Sequence, residues 1–160
     1  MGPIEEIGLL KMDFLGLRNL DVIEDAVEII HRSRGIELDI EAIPMDDDKT
    51  FEMLARGDSV GVFQLESEGM REALRKVKPT EFDDIVALVS LYRPGAMRYI
   101  DDYAQGKRDP RSVTYPDQRL RGITETTYGC CLYQEQLMEI AKQIAGFSPA
   151  EADDLRKAVG

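Results

Sequence analysis

The sequence predicts a mainly α-helical protein with a few short β-strands, an α+β fold in which helices dominate. Apolar residues recur at helical spacing in several segments, and Ser, Thr and Asp stand where helix N-caps are expected. Three short runs, beginning at Leu9, Ser59 and Cys130, are instead predicted as strands. The chain has 160 residues, which suffices for one domain with a core or for a piece of a larger protein.

The first predicted element is a strand over 9–14, within the run LLKMDFLGL. Side chains alternate along a strand, so Lys11 and Asp13 would share one face and apolar residues the other. The residues alone leave two interpretations open. Asp13 either belongs to a solvated strand face, or it holds a metal ion together with ligands from elsewhere.

A helix and then an acidic segment follow this strand. The helix is predicted from apolar residues at helical spacing, which are Leu20, Ile23, Val27 and Ile30. Gly35 is expected to end this helix in the left-handed conformation. Residues 36–54 contain seven acids and one lysine, and Asp47 or Asp48 is expected to cap a short helix through Leu54.

The middle of the chain is predicted to contain a strand, two helices and a loop. The stretch SVGVFQLES, at 59–67, is expected to be a strand that leads into a helix running toward Val77. Thr80 is expected to cap the next helix, which ends near Arg93. The apolar face of this next helix is predicted to comprise Phe82, Ile85, Val86 and Val89. Residues 105–122 carry two prolines and many charges, which is typical of an exposed loop.

The last part of the chain is predicted to hold a short strand and two helices. CCLYQ, at 130–134, is expected to be the strand, and a helix should follow over 135–145. Ser148 and Glu151 have the spacing of a capping box, with Pro149 between them at the first helical position. This final helix is expected to end at Gly160.

Composition and charge exclude several classes of protein. Apolar residues make up 43% and charged residues 32%, as in soluble globular proteins. No apolar run reaches membrane-spanning length and the N-terminus lacks a signal peptide, so we expect no membrane partner and a cytoplasmic location. The adjacent Cys130 and Cys131 fit a reducing compartment, and a zinc site is not expected with one histidine. The net charge of −11 argues against a general nucleic-acid-binding surface.

Two local groups of cations are exceptions to this acidic balance. Arg71, Arg75 and Lys78 have the spacing of one helix face, which could follow a phosphate backbone or simply be solvated. Arg156 and Lys157 lie near the end of the last helix, where cations also complement the helix dipole. The sequence contains no Walker loop, no GxGxxG and no Ser-His-Asp arrangement.

Five segments, taken in chain order, resemble one family. They are GLLKMDFLGL, GVFQLESEGM, LVSLYRPG, LYQEQLMEIA and EADDLRKAVG. Together they resemble the alpha subunits of bacterial DNA polymerase III, the C-family replicative polymerases, from about Ile4 to Gly160. The resemblance implies a polymerase fragment in which residues 1–18 form the C-terminal end of the palm. Residues 19–160 would then form the N-terminal part of the fingers.

The resemblance also implies roles for individual residues. Asp13 matches the third catalytic aspartate of the palm, a metal ligand, and Lys11 matches a lysine near the incoming triphosphate and the primer end. Arg156 and Lys157 match two basic residues that face the triphosphate, although the second is usually arginine. Arg71, Arg75, Lys78 and Arg93 are the candidate DNA-binding residues. The family commonly has proline at the position of Ala96 and a histidine-bearing basic segment after it, where this chain has QGKRDP. These departures leave the DNA contacts of that loop open.

The implied activity is DNA-directed DNA polymerisation with two Mg²⁺ ions, on primer-template DNA and deoxynucleoside triphosphates. Sliding clamp and clamp loader would bind through regions not found in this sequence. We expect the chain to be a piece of a longer protein and to be inactive alone. One alternative is a non-catalytic, acidic helical interaction module of a replication protein. Another is the error-prone paralogue of the same family, although FQLESEGM and LVSLYRPG are closer to the replicative type.

Overall fold

A computed structural model describes residues 7–10, 12 and 14–159. Every regular element in these residues is helical, so the predicted α+β class is corrected to all-α for the described part of the chain. The chain divides into two compact units, Met1–Ile43 and Pro44–Gly160. Among the described residues, no helix combines the length and the apolar composition that crossing a membrane requires.

The described residues of the first unit contain one helix, α1 (Arg18–Arg34), which confirms the predicted first helix. Gly35 ends it with a left-handed φ of 65°, and its N–H donates to the His31 carbonyl at 2.8 Å. None of the residues of α1 is buried. The predicted metal ligand Asp13 and its neighbour Lys11 lie outside the described residues.

The second unit contains the remaining seven α-helices. In chain order these are α2 (Asp48–Ala55), α3 (Glu68–Val77), α4 (Phe82–Leu91), α5 (Ile100–Arg108), α6 (Arg121–Thr124), α7 (Gln134–Ala145) and α8 (Pro149–Val159). Single 3₁₀ turns occur at Met97–Tyr99, Pro110–Ser112, Gln118–Leu120 and Glu125–Thr127. Helix α3 packs against α2, α4 and α5, and Leu74, Leu88 and Leu91 are fully buried in the core between them. Helices α7 and α8 pack against each other.

A buried carboxylate joins the start of α4 to α5. Asp84 is 1% exposed and accepts hydrogen bonds from the Thr80 N–H at 2.8 Å and from Lys107 Nζ at 2.7 Å. The Tyr103 hydroxyl donates to its other oxygen at 3.2 Å. Burial, together with the Asp84 charge, raises the pKa of Tyr103, which therefore stays protonated and keeps donating.

The start of α4 differs from the prediction. Glu81, rather than Thr80, is the N-cap residue, because Asp84 binds the backbone N–H groups of both Thr80 and Glu81. The predicted apolar face is wrong at Phe82 and Val86, which are exposed, whereas Ile85 and Val89 are half-buried against the core as predicted. The face that points into the core consists of Asp84, Ala87, Leu88 and Leu91. Tyr103 and Lys107 donate hydrogen bonds to the Asp84 carboxylate, and these contacts allow this partly polar side of α4 to face the core.

The strand predicted over 59–67 is a series of turns. The Ser59 hydroxyl donates to the Leu65 carbonyl at 2.6 Å, and the Val62 N–H donates to the Ser59 carbonyl at 3.1 Å. Gln64 has a left-handed φ of 63°, which a strand cannot accommodate. The run is apolar because Leu65 enters the core, not because it belongs to a sheet.

The other two predicted strands are also not formed in the described residues. In CCLYQ, the Gln136 side chain accepts from the N–H groups of Leu132 at 2.8 Å and Tyr133 at 3.0 Å. These are the backbone donors that a neighbouring strand would otherwise occupy. For the strand over 9–14, positions 9, 10, 12 and 14 are described and none is in a strand.

Candidate functional site

The helix that carries the predicted triphosphate-facing cations is fixed at its N-terminus. The Ser148 N–H donates to Glu151 Oε2 at 2.8 Å, and the Glu151 N–H donates to Ser148 Oγ at 3.3 Å. This reciprocal pair confirms the predicted capping box. Ala152, one residue further along α8, is fully buried, and α8 packs against α7. The helix therefore has a defined position from which Arg156 and Lys157 project.

Arg156 is held by partners on two helices. Its Nε donates to Asp153 Oδ1 at 2.9 Å, and its Nη1 donates to Gln134 Oε1 at 3.3 Å. Gln134 is the first residue of α7, so this contact crosses between the packed helices. Only 29% of the Arg156 side-chain surface is exposed. The guanidinium is thus oriented by its neighbours, with its remaining N–H groups available to a ligand.

Lys157 is more exposed and forms ion pairs within its own helix. Its Nζ lies 2.8 Å from Asp153 Oδ2 and 3.7 Å from Asp154 Oδ1, and 60% of its side chain is exposed. Hydrogen bonds from Lys157 and Arg156 lower the pKa of Asp153, and the same contact with Asp153 raises the pKa of Lys157. Asp153 and Lys157 are therefore both charged at neutral pH. A phosphate that bound here would compete with Asp153 for both cations.

Arg93 lies near this group of cations. It is in the turn that follows α4, and it lines a cavity of about 520 Å³ together with Gln134 and Val159. A smaller cavity of about 240 Å³ is lined by Arg156 and again by Gln134 and Val159. Arg93 and Arg156 therefore border neighbouring concavities that share the start of α7 and the end of α8. Their separation of 63 positions in the sequence gave no sign of this proximity.

The predicted basic stripe on α3 is largely used within the protein. Arg71 Nε donates to the Gly57 carbonyl at 2.8 Å, and Arg75 Nε donates to the Arg56 carbonyl at 3.3 Å. Both guanidinium groups also donate to Glu68, at 3.0 and 3.2 Å. These contacts tie α3 to the carbonyl groups that follow α2. Lys78, which ends α3 with a left-handed φ of 54°, is exposed.

The described part of the chain offers no metal centre of its own. Within those residues, no group of three or more His, Cys, Asp or Glu side chains is placed to hold an ion. Asp47 acts as the predicted helix cap, with its carboxylate accepting from the Thr50 N–H at 2.9 Å. Gln134 is the site residue that sequence reasoning missed. It was predicted only as the last residue of a strand, and its contact with Arg156 spans 22 residues.

Comparisons with known proteins agree with one another. A family model described as the bacterial DNA polymerase III alpha subunit finger domain matches residues 19–160. The chain is 51% identical, over 99% of its length, to the DNA polymerase III subunit alpha of Halalkalibacterium halodurans. It is 51% identical over 100% of its length to that of Thermus aquaticus, and 54% identical over 98% to that of Mycobacterium leprae. The chain spans about 14% of the length of each of these relatives.

Proposed function

The chain belongs to the bacterial DNA polymerase III alpha subunit family, whose finger domain it matches, and from this membership we propose a role in DNA-directed DNA polymerisation. It is part of a polymerase that adds deoxynucleotides to a primer 3′-hydroxyl on a DNA template. In such a reaction two bound Mg²⁺ ions would supply the charge that activates the hydroxyl and stabilises the leaving pyrophosphate, and Asp13 would be one of their ligands. Residues 1–18 end the palm, and residues 19–160 begin the fingers. In this proposal the other metal ligands come from the rest of the polymerase, so the 160 residues alone should not polymerise.

In this proposal Arg156 and Lys157 bind the phosphates of the incoming nucleotide. The observation that carries it is the placement of Arg156 between Asp153 and Gln134, on a capped helix that packs against α7. A guanidinium oriented before the ligand arrives loses little side-chain freedom on binding, and its planar fork suits two phosphate oxygens. Lys157 adds a more mobile point charge beside it.

Asp13 and Lys11 have complementary roles in the proposal. Asp13 ligates a catalytic Mg²⁺ ion, and Lys11 lies by the triphosphate and the primer end. The support for both is the segment LLKMDFLGL, in which they occupy the family's positions. A magnesium ion keeps much of its water shell and needs more than one carboxylate, so the ion requires ligands from the rest of the polymerase.

Steady-state kinetics of the full-length polymerase with Arg156→Ala test this function. We expect a higher KM for the nucleotide and a lower kcat, with kcat/KM reduced roughly 10- to 100-fold, the range for a charge-assisted hydrogen bond. Primer-template affinity should change little. Asp13→Asn in the same assay should abolish most of the turnover, because it removes a metal-binding charge.

A matched control separates this function from a purely structural role. Arg32 is an exposed arginine near the end of α1, and Glu28, four residues earlier, is its one ion-pair partner among the described residues. Arg32→Ala therefore removes an equivalent charge elsewhere. If Arg156 merely complements the helix dipole, its alanine variant should lose about 0.3–1 kcal/mol of stability and keep its nucleotide kinetics. Unchanged kinetics in Arg156→Ala would therefore refute the assignment.

A further inference from the structure

We propose that the cavity lined by Arg111, Tyr115 and Arg121 binds single-stranded nucleic acid, with phosphate groups on the two arginines and a base against the tyrosine. The cavity has a volume of about 890 Å³, and Gln118 and Tyr128 also line it. Its lining residues up to Arg121 were predicted only to be part of the exposed loop 105–122. The inference rests on the proposed polymerase function, since it assumes a nucleic-acid substrate.

The wall of this cavity is firmly attached to the rest of the unit. The Val113 side chain packs closely against both Gly106 and Gly129. A Cβ added at Gly106 would lie 3.1 Å from Val113 Cγ2. A Cβ added at Gly129 would lie 2.9 Å from Val113 Cγ1. Larger residues at either position would push the loop away. Because Val113 is anchored, Arg111 and Tyr115 are held two residues to either side of a fixed point.

Two aspartates fix the ends of the same loop. Asp109 accepts from the Arg111 N–H at 3.1 Å and so closes the turn that presents this arginine. Asp117 accepts from Arg119 Nη2 at 2.6 Å, and Arg119 also donates to the Gln143 carbonyl on α7 at 3.3 Å. The segment predicted as an exposed loop is therefore partly helical and pinned. Its side chains can present a ligand site without first being ordered.

The charges around the cavity favour an anionic ligand. Residues 105–122 contain five cations and two carboxylates, in a chain whose net charge is −11. Lys107 is used by Asp84 and Arg119 by Asp117, so neither is available. Arg121 lies 3.6 Å from Glu125 in a mostly exposed pair, and Arg111 forms no ion pair with any described residue. Glu125 also lines the cavity, so Arg111 is available to a ligand, whereas Arg121 would exchange its exposed contact with Glu125 for a phosphate.

The aromatic residues favour a nucleotide chain over an inorganic anion. The Tyr128 ring is fixed by an edge-to-face contact with Tyr103, at a centroid separation of 5.0 Å. Tyr115, on the opposite loop, is half-buried and offers a surface on which a base can stack. The cavity lies within the range of about 300–1,000 Å³ that small ligands occupy, which accommodates an unstacked nucleotide. A duplex keeps its bases stacked inside and would leave Tyr115 unused.

Fluorescence anisotropy with the 160-residue chain tests the proposal. The probe is a labelled oligothymidylate of about 12 nucleotides, a length within the site sizes of single-strand-binding folds. We expect saturable binding that weakens linearly with salt on logarithmic axes. Combining Arg111→Ala with Arg121→Ala should lower the slope of that line by about 1.4, or 0.7 for each phosphate group that is no longer bound. Tyr115→Leu should weaken binding about fivefold or more and leave the slope unchanged.

Control variants and competing ligands test whether the oligothymidylate binds in the cavity. Arg18→Ala with Arg34→Ala removes the same charge from α1, and this pair should bind like the unmodified chain. Arg111→Gln with Arg121→Gln keeps the side-chain length and repeats the charge loss if alanine lowers stability. No saturable binding, an equal loss in the α1 pair, or equally tight binding of duplex or of free thymidine triphosphate would each overturn the proposal. Such a result beside altered nucleotide kinetics in Arg156→Ala would refute the cavity alone and leave the proposed function standing.

Discussion

Removing the buried carboxylate of Asp84 is expected to destabilise the second unit severely. The Lys107 side chain is only 13% exposed, and Asp84 is its sole carboxylate partner among the described residues. Asp84→Ala would leave the ammonium group buried without a counter-charge. It would also leave the N–H groups of Thr80 and Glu81, at the start of α4, without their acceptor.

The expected size of this effect follows from the burial. Removing one partner of a buried ion pair costs about 3–5 kcal/mol, because the remaining charge keeps its desolvation penalty. For a chain of this length, each kcal/mol lowers the melting temperature by about 2–4 °C, so the shift should be roughly 6–20 °C. Asp83 lies in the same first helical turn but is exposed. Asp83→Ala therefore removes only a favourable interaction with the helix dipole, which is worth about 0.3–1 kcal/mol.

Thermal unfolding followed by circular dichroism measures these differences directly. Asp84→Ala should melt well below Asp83→Ala, and adding Lys107→Met to Asp84→Ala should recover part of the loss. Recovery is expected because the double variant no longer buries an unpaired charge. Equal melting temperatures for the two aspartate variants, or a double variant less stable than Asp84→Ala, would show that the ion pair does not hold α4 to α5.

Two further outcomes follow from the geometry of the second unit. Gly106→Ala should lower the free energy of unfolding by about 1–3 kcal/mol, since its Cβ would lie 2.5 Å from Tyr128 Cβ. Gly122→Ala, in a helix with open space around it, should be neutral or stabilising, and urea unfolding compares the two. Hydrogen bonds from Arg119 lower the pKa of Asp117 from 3.8 to about 2, so its stabilisation is complete above pH 3.8 and is lost as the pH falls toward 2. The difference in urea midpoint between the unmodified chain and Asp117→Asn should therefore shrink over that interval, and a difference that grew would contradict this sign.

Features set by neighbouring residues were predictable from the sequence. Gly35 ends α1, Asp47 caps α2, and Ser148 forms a capping box with Glu151, as the local patterns indicate. Each of these depends on a spacing of a few residues, which one sequence displays directly. Capping oxygens and left-handed glycines act on backbone groups beside them, so distant parts of the chain cannot easily override them.

Features set by distant residues were not predictable in the same way. The partners of Asp84 on α5 lie 19 and 23 residues away, and nothing in the local pattern of α4 indicates that its buried face is partly polar. The predicted strands failed for a related reason. An apolar run has the same sequence pattern whether its backbone N–H groups donate to a neighbouring strand or to a side chain such as Gln136. The contact between Arg156 and Gln134 likewise requires the packing of two helices to be known.

Helix α1 has a well-formed end but none of its 17 residues is buried. Isolated helices of about this length are marginal in water, because the cost of nucleation is not repaid by packing. Its amide protons should consequently exchange with deuterium much faster than those around Leu88 and Leu91 in the core of the second unit. Stability is thus distributed unequally along the chain. We therefore expect the cooperative melting transition of these 160 residues to report on the buried core of the second unit.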